Sequence, residues 1–377
     1  MNNSIRIGIA AALLVVAGLV VFFLKGGSDN LASGSTPLAV LSPVTVSGYY
    51  GGEKEEFLKN PEVQKILLDK YGITVSARKA GSVEMVRDLP LGPADDFVWP
   101  SSQVSLAIYK DRNGVVAGSD NIFNSPMVLY TWGPVVDALV NAKIVEKRNE
   151  SLYVIDMQKL VTMIADGKRW ADIGLNKLNG RMNIRTTDPA FSNGGLIFAG
   201  LLASTLNGGE IPDDTTIVQV LPKLTQFFGR LGLMEQSSKD LFQQYLTTGM
   251  GAKTIVAGYE SQLVEYLLQN PGQKATVLQS VRVLYPEPTV WSSHPFIART
   301  KNGKRLMEAL KDPAIQEIAW RQHGFRSGLA SIVNDPKDLG IPAMPNRIDA
   351  VIDMPSPSVM ERILSVLAAN NQAPQTR

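Results

Sequence analysis

Five short stretches place hydroxyl, amide and glycine residues where an extended run hands over to a loop or helix: "SGYYGGE" (47–53), "AGSVE" (80–84), "WPSSQ" (99–103), "SNGG" (192–195) and "GYESQ" (258–262). Their common chemistry is hydrogen bonding rather than bond making. A helix N-terminus presents unpaired N–H groups and a partial positive charge, so small polar residues beside it can hold an anion or a strongly polar molecule. The fullest case is "RTTDPAFSNGG" (185–195), which runs directly into the apolar "LIFAGLLAS". Ser, Asn, Asp and Gly are also ordinary cap and turn residues, which accounts for any single junction. Five in succession point to one shared ligand. Among the aromatic residues nearby, Tyr259 stands out because it sits between Gly258 and Glu260 at a sharp strand exit.

Reactive constellations are missing by comparison. A Ser-His-Asp arrangement would need His294 or His323, which lie in "SSHPF" and "RQHGF" among turn and apolar residues, and there is no G-x-S-x-G. "GGEKEE" lacks the G-K-[ST] ending of a phosphate loop, and "GLIFAG" lies inside a helix instead of before one. The neighbouring carboxylates Asp95 and Asp96, or Glu55 and Glu56, point to different faces of their elements. The chain has no cysteine, which removes disulfides, thiolate metal sites, cysteine nucleophiles and lipid attachment through an N-terminal cysteine. Two histidines argue against a histidine metal site. We therefore expect no enzyme activity, no catalytic residue, no metal and no cofactor.

The elements that must position the five junctions alternate. "VTVSGYY", "ITVSARKAGS" and "DDFVWPSS" read as strands, separated by "EKEEFLKNPEVQKILLDKYG", helical and broken or restarted at Pro61, and the helix opening at "VEMVRDL". That series favours an α/β unit with a largely parallel sheet. Further on, "SPMVLYTW" is a β-like run, "GRMNIRTTDP" a strand and loop, "AKTIVAGYESQLVEYLLQN" a strand feeding a helix, and "KNGKRLMEALKDPAIQEIAWRQHG" one long helical segment. With 45% hydrophobic residues over 377 positions the chain can bury a sizeable core, and its net charge of +2 argues against nucleic acid as a partner.

The beginning differs in kind. Residues 7–24, "IGIAAALLVVAGLVVFFL", are eighteen apolar or glycine positions. As a helix they would reach roughly 27 Å, about the thickness of a bilayer core. Arg6 before this run places the N-terminus in the cytoplasm and the body outside. The expectation is a single-pass anchor in residues 1–25, with secretion after signal cleavage as the alternative, followed by a flexible tether at 26–39.

In the order of its motifs the chain resembles bacterial extracellular solute-binding proteins of the type II periplasmic binding protein fold, in the broad group that includes molybdate, sulfate and phosphate binders. The resemblance covers residues 40–330 and rests on "SGYYGGE", "AGSVE", "DDFVWPSS", "SPMVLYTW", "TTDPAFSNGG", "VAGYESQ", "LYPEPTVWSSHPF" and "HGFRSG". It implies two α/β lobes joined by two crossover strands, the first at "SPMVLYTW" and the second near "TIVAGYES". Lobe 1 would comprise 40–127 plus 262–350 and lobe 2 residues 128–261, with a C-terminal helix and disordered tail at 351–377. The ligand-binding residues implied by junctions and resemblance together are Tyr49, Ser82, Ser101, Ser102, Ser192, Asn193, Tyr259 and Glu260. Tyr49 and Tyr50 depart from the small hydroxyls usual in the first loop. Glu260 is a second departure, because a carboxylate there would repel a fully ionised oxyanion and would instead pair with an amine or a protonated ligand. The function implied is closure over a small polar, anionic solute for uptake or sensing, with an ABC permease or another membrane or surface protein as partner. The alternative is a ligand-free interaction module that uses the same fold to dock a partner protein.

Overall fold

The computed structural model describes residues 42–114, 116–341 and 344–372. The apolar run at 7–24, the tether at 26–39 and the last five residues lie outside these. Among the described residues no helix is long and apolar enough to cross a membrane.

Two sheets share one long strand. In the first, β1 (Val44–Tyr50) lies parallel to both β2 (Ile73–Lys79) and β3 (Phe97–Trp99). The strand β4 (Gly118–Trp132) then runs 15 residues, roughly 50 Å at strand rise. Its first half pairs antiparallel with β9 (Trp291–Ala298), from Gly118 opposite Ala298 to Pro126 opposite Trp291. Its second half pairs antiparallel with β7 (Val256–Tyr259) and β8 (Val281–Pro286), which belong to the second sheet. There β8 lies parallel to β6 (Tyr153–Ile155), and β6 antiparallel to the edge strand β5 (Val145–Lys147). A short β10 (Arg326–Ser327) joins β4 at Asn124 and Phe123. The run Ser125–Thr131 is buried at every position, as expected of a strand covered on both faces.

This pairing moves one boundary. The strand in "TIVAGYES" is β7, which stays beside the second half of β4, and β8 remains in the same sheet. The chain returns to the first sheet only between Pro286 and Trp291, so residues 281–286 go with the second sheet instead of the first lobe. The reason is packing: Val281, Val283 and Tyr285 bury against Val128 and Tyr130 of β4. "GRMNIRTTDP" forms only isolated bridges, Arg181 with Arg169 and Arg185 with Val256. The long segment after Thr300 breaks into Lys301–Ala309 and Pro313–His323, because Asp312 caps and Pro313 opens a new helix.

Four helices set the stage for the site. They are α1 (Glu55–Lys59), α2 (Asn193–Leu206), α3 (Ser238–Thr248) and α4 (Glu260–Gln269). In α2 every residue from Asn193 to Thr205 is buried, which matches a helix apolar on all sides and surrounded by core. Ser192 caps it by accepting from the Gly194 N–H. Gly195 permits close approach of the preceding loop, since a Cβ there would stand 2.2 Å from the Thr187 carbonyl oxygen and 2.6 Å from the Pro189 nitrogen. The small residues of this entrance thus fold the loop tightly onto the first turn of α2.

Candidate functional site

A cavity of about 670 Å³ opens between the loop ends of the two sheets. From the first sheet it receives Gly51, Glu53, Lys79 and Ser82, and from the second Phe191, Ser192, Asn193 and Ser238. Its outer part runs between α3 and α4, along Phe242, Leu246 and Tyr266. Ser82 and the adjacent pair Ser192 and Asn193, distant from it in sequence, therefore line one cavity.

Asn193 is the centre of the floor. Its Nδ2 donates to the Ser101 carbonyl at 2.8 Å and to the Tyr259 hydroxyl at 2.9 Å, while its Oδ1 is buried with no hydrogen-bond partner. The Ser101 carbonyl can only accept, so it fixes which end of the amide faces it. The Thr187 hydroxyl, beside the same helix entrance, is also buried and unpartnered.

The other expected residues stand behind or beside the cavity wall. Tyr49 is half-buried on β1, with the Arg78 guanidinium 4.3 Å from its ring centre. Ser101 is fully buried: its Oγ accepts from Lys54 Nζ at 2.6 Å and donates to Glu53 Oε2 at 3.0 Å, and its N–H donates to Ser82 Oγ at 3.1 Å. Ser102 accepts from the Ser105 N–H at 3.2 Å, which makes it the cap of helix Gln103–Asn113. Tyr259 lies under Asn193, and burial holds its hydroxyl pKa well above the usual tyrosine value. Glu260 is held by Arg326, Nε to Oε1 at 2.7 Å and Nη2 to Oε2 at 3.0 Å, and it accepts from the Tyr285 hydroxyl at 2.7 Å. The repulsion expected from Glu260 is therefore balanced within the protein, away from the cavity lining.

Sequence reading missed Glu53 and Lys54, and it set His294 aside as a triad member. Lys54 is fully buried between Ser101 and His294, with Nζ 3.3 Å from His294 Nδ1. Burial lowers its pKa to about 8, opposed by the Glu53 charge, and burial together with Lys54 holds the His294 pKa well below the usual histidine value. Lys54 beside Ser101 has the partners of an activated nucleophile, yet Ser101 is sealed behind the wall where no substrate carbonyl can reach it. Only "GGEKEE" could have drawn attention to Glu53 and Lys54, and its charges look solvated in sequence. Cations on the cavity wall are already paired: Lys239 with Glu56 at 2.9 Å across the cleft, and Lys79 with Glu55 at 3.4 Å. Among the described residues no three His, Asp or Glu side chains gather as a metal site.

No family model matches the chain, and no curated protein matches it in sequence. Solved structures do. The apo ferric ion-binding protein A of Pasteurella haemolytica superposes with a TM-score of 0.55 at 13% identity, over 88% of this chain and 99% of that one. The iron-bound HitA from Pseudomonas aeruginosa gives 0.55 at 13% identity, over 87% and 99%. The substrate-binding protein of an ABC transporter from Agrobacterium tumefaciens gives 0.53 at 15% identity, over 90% and 96%. At such identities the likeness is one of architecture, and it agrees with two sheets sharing β4 around a cleft. The chain has the two-lobed α/β fold of the type II periplasmic binding proteins.

Proposed function

We propose that this chain is a non-enzymatic solute-binding protein that closes its two lobes over a small polar solute outside the cytoplasmic membrane. The observation that carries the reading is convergence: Ser82 from one lobe and Ser192 and Asn193 from the other line a single cavity of organic-ligand size, with the N-terminus of α2 at its base. Hydroxyls and a helix N-terminus suit an anionic group on the solute. The apolar run at 7–24, with Arg6 before it, supports a single-pass anchor with the body outside, and the fold supports delivery to a permease or a sensing partner in the membrane. Secretion after cleavage of the same run is the alternative placement.

Direct bonds between the lobes, Asn193 to Ser101 and Lys239 to Glu56, favour one second reading, an interaction module whose cleft is held shut. Thermal unfolding with panels of oxyanions, amino acids and sugars separates the two. A bound solute at one hundred times its dissociation constant adds ~2.7 kcal/mol. A shift in the wild type that is lost in the Ser82→Ala, Ser192→Ala double variant supports solute binding. No shift with any panel member supports the module.

A further inference from the structure

The hydrogen-bonding capacity of the cavity floor narrows the chemistry of the solute, on the reading that this cavity holds one. One acceptor is open there and a second is buried beside it. Glu53 lines the cavity, and its Oε2 takes the Ser101 hydroxyl at 3.0 Å, while among the described residues its Oε1 receives no hydrogen bond. The nearest cation, Lys54 Nζ, stands 3.9 Å from Oε2, beyond hydrogen-bond reach, and is enclosed behind the wall. Asn193 lines the same cavity, is 2% exposed, and keeps Oδ1 without a partner because Ser101 and Tyr259 take its Nδ2. An inorganic oxyanion offers only lone pairs. It would leave the open acceptor unmet and set a second negative charge near Glu53, with Lys79 and Lys239 already paired to Glu55 and Glu56.

A solute that satisfies this floor must bring donors. The opposite requirement holds at the helix entrance, where Ser192, Ser238 and the N-terminus of α2 suit an acceptor or a negative charge. The cavity volume of about 670 Å³ also far exceeds a five-atom anion, and its outer part is walled by Phe242, Leu246 and Tyr266.

We infer that the solute is a zwitterion of amino-acid type, with its ammonium on Glu53, its carboxylate at the N-terminus of α2, and an apolar arm along Phe242 and Leu246. Each polar end then meets its complement, and no wall cation has to leave its partner.

The test is isothermal titration calorimetry on the full chain in detergent. The probes are L-leucine and L-phenylalanine, their amine-free analogues isocaproate and hydrocinnamate, sulfate, molybdate and glucose. We expect at least one amino acid to bind, with its amine-free analogue at least tenfold weaker. Glu53→Gln should weaken the amino acid at least tenfold without weakening the analogue, and Phe242→Ala should weaken both. If Glu53→Gln fails to fold, the comparison of amine with amine-free probe on the wild type still decides. Sulfate, molybdate, glucose or an amine-free acid binding as tightly as any amino acid overturns the zwitterion and leaves solute binding standing. Heat from none of the probes, together with no thermal shift across the wider panel, overturns both.

Discussion

Asn193 at the first turn of α2 donates to the carbonyl oxygen of Ser101, at the exit of β3, with 2.8 Å between the two atoms. This bond joins one lobe to the other at the floor of the cavity, and the same amide reaches the Tyr259 hydroxyl. Replacing Asn193 by Ala would leave both groups buried without it, although Ser292 Oγ still serves the carbonyl at 2.9 Å. We expect a loss of about 1–3 kcal/mol in urea unfolding. An unchanged midpoint and slope would show that the bond does not hold the lobes.

Glu260 and Arg326 form the most enclosed ion pair among the described residues, behind the cavity lining, with Arg326 also donating to the carbonyls of Pro345 and Asn346. Arg326→Met strands a buried carboxylate, for a loss of roughly 3–5 kcal/mol. Adding Glu260→Gln should recover part of it, and a double-variant cycle in denaturant measures how much. Equal losses in the single and double variants would mean that the carbonyl contacts, not the charge pair, matter.

How much of this could be read in advance depends on how local each signal was. The strand-to-helix junctions were legible because caps and turns are written in adjacent residues, and they led to Ser82, Ser192 and Asn193 in the cavity. Glu260 looked like a cleft carboxylate because its partner Arg326 is 66 positions away. Ser101 and Ser102 share one motif but face different tasks, one in the floor network and one at a helix cap. The return to the first sheet was misplaced because nothing local in "IVAGY" or "VRVLYP" tells which half of β4 each strand will meet. Glu53 and Lys54 sat in a run of charges that reads as solvent-facing, and only the fold buries Lys54.

Lys54 supplies a pH signature. Its folded pKa of about 8 lies below the ordinary lysine value of 10.5, so between those values the unfolded chain binds more protons than the folded one. Stability from this group therefore rises as pH increases from about 8 toward 10.5, and the penalty is fully present below 8. The difference amounts to about 3 kcal/mol. Lys54→Met should lack this rise, so the gap between variant and wild type in chemical unfolding narrows or reverses across the window. Parallel profiles would rule out the buried, depressed lysine.

Gly195→Ala tests the tight helix entrance. A Cβ at this position meets backbone atoms of Thr187 and Pro189, which cannot swing aside as a side chain could. We expect a loss of roughly 1–3 kcal/mol from overpacking and weakened binding of any cavity solute. Gly272→Ala, where a Cβ meets nothing within 4 Å, is the control. Equal stability of the two variants would show that the loop is not held against α2.

The central claim is that the cavity lined by Ser82, Ser192 and Asn193 takes up a small solute. The most direct measurement is the thermal unfolding midpoint of the full chain against the panel of oxyanions, amino acids and sugars, in the wild type and in the Ser82→Ala, Ser192→Ala double variant. The account predicts a concentration-dependent rise with at least one member that disappears in the double variant. A flat response across the panel, or a rise that the double variant retains in full, would contradict it.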